Sequence, residues 1–102
     1  MEYSLNENKL TLNLSGRIDS NTSQKIEEEI SATIEGKTFD ELILDFENID
    51  FVSSAGLRVL IATQKKLKKD DIPMTIKNVN DTINEIFRMS GFDKLLKIEW
   101  TQ

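Results

Sequence analysis

Two adjacent serines, Ser53 and Ser54, follow an apolar stretch and precede Gly56. A serine hydroxyl can act as a nucleophile, receive a phosphoryl group or cap a helix. The nucleophilic role requires a nearby base, and the chain contains neither histidine nor cysteine. Ser-His and Cys-His pairs are therefore excluded, as are thiolate metal sites. Capping and phosphorylation remain as roles for these serines.

A set of carboxylates could bind a hard cation or act as an acid and base pair. Its members are Asp40, Glu41, Asp45, Glu47 and Asp50. Solvated charges in loops and at strand ends are the commoner explanation, and we favour it. Glu27-Glu28-Glu29 is interpreted in the same way, as the solvent face of a helix. Because no base with a shifted pKa can be named, a small carboxylate-dependent hydrolase is poorly supported, and we expect no enzyme and no metal.

The composition indicates one globular domain over residues 1–102, with 38% hydrophobic and 30% charged residues. The net charge of −5 has the wrong sign for binding phosphate backbones, so we expect no nucleic acid partner. No apolar run approaches the roughly 20 residues of a membrane helix, and the first residues lack the features of a signal peptide. We therefore expect a cytoplasmic protein without a membrane partner. No glycine-rich phosphate loop is present, so no nucleotide cofactor is expected.

The elements that position the serines follow from periodicity. Alternating apolar residues on either side of Asn6-Glu7-Asn8-Lys9 predict a hairpin of two half-buried strands. Isoleucines at every fourth position from Ser20 to Ile34 predict an amphipathic helix, with Asn21 and Gln24 able to cap its start and Gly36 to end it.

The next apolar segment, Leu42-Ile43-Leu44 with Phe46, is typical of a central strand covered on both faces. A second helix follows the serines, and its last turns carry lysines that suit the helix dipole: Lys65, Lys66, Lys68 and Lys69. A strand beginning after Pro73, a short helix closed by Gly91 and a strand over Leu95–Trp100 complete the chain.

The order ββαβαβαβ predicts an α/β fold with a mixed sheet of four to five strands and about three helices. Crossovers place the serines at the carboxyl edge of this sheet, where sites are commonly built. The free amides of a helix start suit both a capping oxygen and a phosphate, so both roles stay open for the two serines. Gly56 lacks a side chain and would leave the backbone there approachable by a phosphate or a partner.

Three segments of the chain carry a resemblance to a known family. They are Gly16-Arg17-Ile18-Asp19, the segment from Ile49 to Leu60 and the stretch from Phe87 to Leu96. In this order they resemble the segment ahead of the first helix, the phosphoacceptor segment and the closing helix-turn-strand signature of the STAS domains of bacterial anti-sigma factor antagonists. The three segments span the chain.

The resemblance implies a function. In that family the unphosphorylated antagonist binds a cognate anti-sigma factor, which is also a serine kinase, and thereby releases a sigma factor. Phosphorylation of one serine by that kinase ends the binding, and a phosphoserine phosphatase is a further implied partner. The acceptor stands two residues before the glycine, which selects Ser54. Ser53 occupies the position where the family usually has aspartate.

The resemblance also implies a partner-binding surface. Its expected members are Asp19, Ser53, Ser54, Gly56 and Arg58. Asp19 would lie in a loop close to Ser54, although a turn or capping role explains it equally well. Arg58 would either contact the partner or be solvated on its helix. The alternative function is a STAS module that scaffolds an assembly or senses a ligand, with Ser54 acting only as a helix cap.

Overall fold

The computed structural model describes residues 1–100 of the chain. Its elements are β1 (Glu2–Asn6), β2 (Lys9–Ile18), α1 (Ser23–Ile34), β3 (Glu41–Val52), α2 (Ser54–Lys68), β4 (Met74–Val79), α3 (Asp81–Ser90), a 3-10 turn (Phe92–Lys94) and β5 (Lys97–Trp100). This order confirms the predicted ββαβαβαβ arrangement. The part of the last strand predicted at Leu95 and Leu96 precedes the observed strand.

The opening hairpin turns through Glu7 and Asn8, whose φ angles of 51° and 68° give the mirror-image turn that suits a two-residue hairpin. β1 pairs antiparallel with β2, which confirms the predicted hairpin. The prediction that both strands are half-buried is wrong for β1, because all five of its residues are exposed. β1 lies at the edge of the sheet, where the helices do not cover it.

The five strands form one sheet in the order β1-β2-β3-β4-β5, and every pair after the hairpin is parallel. Each crossover moves one strand in the same direction, so right-handed connections place all three helices on one face. β3 is central, as predicted, and residues on both of its faces are buried, although the helices cover only one face. Ile43 points to the face without helices, where its neighbours across the sheet are Thr11 and Thr75.

β3 is longer than the predicted strand and continues from Phe46 to Val52. Two register shifts occur in its pairing with β2, one of them at Gly16, whose φ is 82°. These bulges change the spacing of buried residues from two to three, so Ile49 and Val52 follow Phe46 into the core. Glu47 and Asp50 therefore lie within a strand, which corrects their interpretation as loop or strand-end charges.

The helices begin and end close to the predicted positions. α1 starts at Ser23 after the N-cap Thr22 and has no side-chain capping bond, so the prediction that Asn21 or Gln24 caps it is wrong. The Asp19 carboxylate instead accepts from the amides of Asn21 and Thr22 in the turn before the helix. The predicted lysines lie in and just after the last turn of α2. Gly91 ends α3 in the left-handed conformation with φ 78°, as expected for a helix-closing glycine.

One hydrophobic cluster joins the three helices to the sheet. Ile30 of α1, Leu60 of α2 and Phe87 of α3 are almost fully buried against strand residues such as Leu12 and Leu44. The rings of Phe46 and Phe87 have centroids 6.2 Å apart. This packing fixes α2, and with it the two serines, against the ends of β2 and β3. In residues 1–100, no helix combines the length and the apolarity that a membrane crossing requires.

Candidate functional site

Ser53 is the N-cap of α2. Its Oγ accepts a hydrogen bond from the backbone N–H of Gly56 at 3.3 Å, and its carbonyl accepts from the N–H of Leu57 at 2.9 Å. Its own N–H donates to the carbonyl of Ile18 at 2.9 Å. The Ser53 hydroxyl is therefore engaged in holding the helix start, and its backbone joins that start to the end of β2.

Ser54 is the first residue of α2 and its side chain is exposed. No hydrogen bond of its hydroxyl is found within residues 1–100. The hydroxyl lies at a helix N-terminus, where unpaired amides and the helix dipole favour a negative charge. Ser53 therefore caps the helix, and Ser54 presents an accessible hydroxyl.

Gly56 packs the helix start against the sheet. A Cβ at this position would lie 2.4 Å from the carbonyl oxygen of Ile18 and 3.0 Å from Cγ1 of Val52. We expected from the sequence that the missing side chain leaves the backbone open to a partner. The missing side chain instead faces inward, and Gly56 is buried, so glycine is required here for close helix-strand contact.

Asp19 organises the loop between β2 and α1. Its Oδ1 accepts from the backbone N–H of Asn21 at 2.9 Å and of Thr22 at 3.2 Å. Hydrogen bonds from the Asn21 amide, from Arg17 and from Thr22 lower the pKa of the Asp19 carboxyl, against a smaller opposing effect of desolvation. The turn role considered for Asp19 is therefore present, whereas the N-cap of α1 is Thr22, which has no side-chain capping bond. Its loop follows Ile18, the residue that contacts both Ser53 and Gly56.

Arg17 and Phe51 belong to the same edge of the sheet and were not singled out from the sequence. They are neighbours in the β2-β3 register, and the Arg17 guanidinium carbon lies 4.6 Å from the centre of the Phe51 ring. Arg17 Nε also lies 3.3 Å from Oδ2 of Asp19. Arg17 could have been identified from the sequence by its position two residues before Asp19. The partnership with Phe51 depends on the two bulges and could not be read from spacing.

Arg58 lies on the exposed side of α2, one turn after Ser54. It borders a shallow hollow of about 340 Å³ whose other lining residues are Ile61, Ala62, Lys65, Phe92 and Leu95. No ion pair of Arg58 is found among the described residues. Arg58 is thus an exposed cation beside apolar side chains, of which Leu95 is 57% exposed.

The carboxylates considered as a cation site do not form one. Nowhere in residues 1–100 do three possible metal-binding side chains of His, Cys, Asp or Glu come together. Two of these carboxylates instead bond to neighbours in the sheet. Glu41 accepts from the Thr75 hydroxyl at 2.7 Å, and Asp45 accepts from the Asn78 amide at 3.1 Å.

Comparison with known proteins identifies the family. The family model described as STAS domain matches residues 1–101. This chain belongs to the STAS family. Among curated STAS relatives, it is 27% identical over 89 residues to the anti-sigma F factor antagonist of Paenibacillus polymyxa, covering 87% of this chain and 76% of that protein. The recognised resemblance is thereby confirmed.

Solved structures show the same STAS fold. An anti-sigma factor antagonist from Mycobacterium paratuberculosis superposes with a TM-score of 0.83 at 23% identity, over 96% of this chain and 82% of that one. Unphosphorylated SpoIIAA gives a TM-score of 0.76 at 19% identity, over 95% and 85% of the two chains. The phosphorylated form of Bacillus SpoIIAA gives 0.67 at 19% identity, over 95% and 88%. The predicted fold class is confirmed.

Proposed function

We propose that this STAS protein is an anti-sigma factor antagonist controlled by phosphorylation of Ser54. In this proposal the unphosphorylated form binds a cytoplasmic anti-sigma factor that is also a serine kinase, and so releases a sigma factor. The kinase transfers a phosphoryl group to Ser54 and the complex separates. A phosphoserine phosphatase restores the binding form. The protein is a kinase substrate in this cycle and carries out no catalysis itself.

The observation that carries the proposal is the division of roles between the two serines. Ser53 uses its hydroxyl to cap α2, whereas Ser54 is exposed at the first helical position. A kinase can reach the Ser54 hydroxyl without removing a cap. The amides of the first turn also suit the charge that phosphorylation adds. Relatives named anti-sigma factor antagonists, and the existence of SpoIIAA structures in both phosphorylation states, support this assignment.

The proposed partner surface consists of the residues around the start of α2. Ser54 and Arg58 are exposed members that can touch a partner directly. Asp19 and Ser53 are half-buried and are assigned both a structural and a contact role. Gly56 contributes by holding the helix start in place, because it is buried against Ile18 and Val52. Arg17 and Phe51 border the same edge and are added to this surface.

The acceptor is tested by incubating the protein with a purified candidate anti-sigma kinase and ATP. Intact mass should rise by one phosphate. Ser54→Ala should abolish the increase, whereas Ser53→Ala should largely retain it. Labelling that persists in Ser54→Ala and disappears in Ser53→Ala would show that Ser53 is the acceptor and would contradict the proposal. Stable binding of the kinase without any phosphoryl transfer would favour the scaffold alternative.

The surface is tested by titrating the same partner with charge variants. Arg58→Glu should weaken binding roughly tenfold or more, because it reverses a cation on the proposed face. Glu28→Lys on the outer side of α1 is the matched control, since it reverses a charge away from that face. Equal losses from both variants would show that the partner binds elsewhere, and opposite changes of equal size would show that it responds only to net charge.

A further inference from the structure

β1 is the outermost strand of the sheet, and its outer edge is little protected against pairing with another strand. In the part of the chain that the structure describes, β1 pairs with β2 alone. Tyr3 and Leu5 are 50% and 45% exposed. Edge strands are usually protected by charged side chains, lysine above all, by proline or by a bulge, and Glu2-Tyr3-Ser4-Leu5-Asn6 has only the carboxylate of Glu2 at one end. Another strand can therefore pair with this edge.

The hairpin determines which backbone groups are free on that edge. Asn6 and Lys9 flank the two-residue turn and so form a hydrogen-bonded pair. Hydrogen-bonded and non-hydrogen-bonded pairs alternate along an antiparallel ladder. Glu2 and Ser4 therefore also direct their backbone groups to β2. The N–H and C=O groups of Tyr3 and Leu5 point away from β2 and are available to another strand.

We propose that β1 of a second copy of this chain pairs antiparallel with this edge, about a twofold axis at Ser4. In this register Tyr3 of each copy is opposite Leu5 of the other, and these two residues exchange their free backbone hydrogen bonds. Ser4 is opposite Ser4, and Glu2 is opposite Asn6. The contact is isologous, since the same segment serves both copies, and it joins the two sheets into one.

The side chains favour a second copy over an unrelated strand. Tyr3 is the cross-strand neighbour of Leu12, and Leu5 is the neighbour of Leu10. Pairing in the proposed register continues the apolar row from Leu12 and Tyr3 into Leu5 and Leu10 of the second copy. On the other face, Glu2 lies opposite Asn6 and in the same row as Lys9 of the second copy. No like charges are brought directly opposite each other.

The association is weak and depends on salt. A single short strand buries less surface than the interface of a stable dimer, and each copy carries a net charge of −5. Added salt screens this repulsion and should strengthen the dimer. β1 lies beside residues 9–13 of β2, whereas Ser53 bonds to Ile18 at the other end of that strand. Dimerisation therefore leaves the proposed partner surface open and does not depend on the proposed function.

Disulfide trapping tests the register, because the chain has no cysteine of its own. Ser4→Cys places two cysteines in a non-hydrogen-bonded pair, with Cα atoms about 4.5 Å apart, and should form a covalent dimer under mild oxidation. Glu2→Cys places them four residues apart along the strands, about 13 Å, which is too far for a disulfide. Two copies of Asn6→Cys should likewise form no disulfide with each other, because they are the same distance apart. In a mixture of the two variants, Glu2→Cys should form a disulfide with Asn6→Cys, because these positions are opposite each other in the proposed register.

Sedimentation of the cysteine-free protein supplies an independent measurement. Association should increase with concentration and with salt, and Leu5→Pro should abolish it by removing an outward N–H while leaving the β2 ladder intact. Circular dichroism checks that this variant is folded. Comparable self-crosslinking of all three cysteine variants would indicate random collisions and overturn the proposal. A wild-type protein that stays monomeric into the millimolar range at raised salt would also overturn it.

Discussion

At the scale of single residues, the two serines have different environments although they are adjacent. The Ser53 hydroxyl accepts a hydrogen bond from the Gly56 amide, and the Ser54 hydroxyl is exposed. Removing an N-cap oxygen costs about 1 kcal/mol, whereas an exposed side chain without contacts usually changes stability by less than about 0.5 kcal/mol. Chemical denaturation should therefore show a loss for Ser53→Ala and little change for Ser54→Ala. Equal losses would contradict the assignment of the cap.

Asp19 should make stability depend on acid pH. Hydrogen bonds from the Asn21 amide, Arg17 and Thr22 lower the pKa of its carboxyl in the folded protein. A lowered folded pKa stabilises the protein above the unfolded value near 3.8, and this stabilisation is lost as pH falls through the folded pKa. Asp19→Asn should therefore be less stable than wild type at pH 7, with the difference shrinking below pH 4. Denaturation across pH checks this, with Glu27→Gln as the control. A difference that is constant with pH would contradict it.

The turn that Asp19 forms before α1 shows which contacts of single residues can be predicted from the sequence and which cannot. Asn21 and Gln24 were sensible capping candidates, because the start of the helix was uncertain by a few residues. The bond from Asp19 to the Asn21 amide depends on the path of the loop after β2, which spacing does not determine. The choice between Ser53 and Ser54 as the cap similarly depends on where β3 ends. The candidate acceptor itself was selected by resemblance.

At the scale of elements, the contact between α2 and the end of β2 depends on Gly56. A Cβ there would approach the Ile18 carbonyl oxygen to 2.4 Å, and a backbone atom cannot move away as a side chain can. Gly56→Ala should therefore lose about 1 to 3 kcal/mol, despite the better helix propensity of alanine. Ala62→Gly on the exposed side of α2 is the control for propensity alone. Urea denaturation measures both, and a stabilised Gly56→Ala would show that the helix start has room to move.

The elements themselves were largely predictable, and the failures have a physical cause. The hairpin turn, the helix face of α2 and the closing glycine Gly91 are local signals that the sequence carries directly. β3 was predicted too short because its bulges opposite β2 destroy the period of two after Phe46. The exposure of β1 and the absence of helices on the face of Ile43 result from which strands are neighbours. Local periodicity does not contain that information.

At the scale of the whole molecule, the order of elements almost determines the architecture. Successive crossovers in one direction put every helix on one side of the sheet, and the carboxyl ends of β2 and β3 meet at the same edge. That edge brings Ile18, Ser53 and Gly56 together from separate parts of the chain. The lateral edge at β1 is a different surface, so the proposed partner and the proposed second copy do not compete.

The proposed phosphorylation of Ser54 should change binding without changing the fold. Phosphate adds about −1.5 to −2 charges and takes the net charge from −5 to roughly −7, at a helix start where amides and dipole favour it. A partner packed on this face must desolvate the phosphate, which without a matching cation costs roughly 4 kcal/mol, or about a thousandfold in affinity. Circular dichroism and melting should therefore be nearly identical for the two forms, while titration shows partner binding only for the unphosphorylated one. A phosphoprotein that melts much lower would show that release occurs by unfolding and would overturn this electrostatic mechanism.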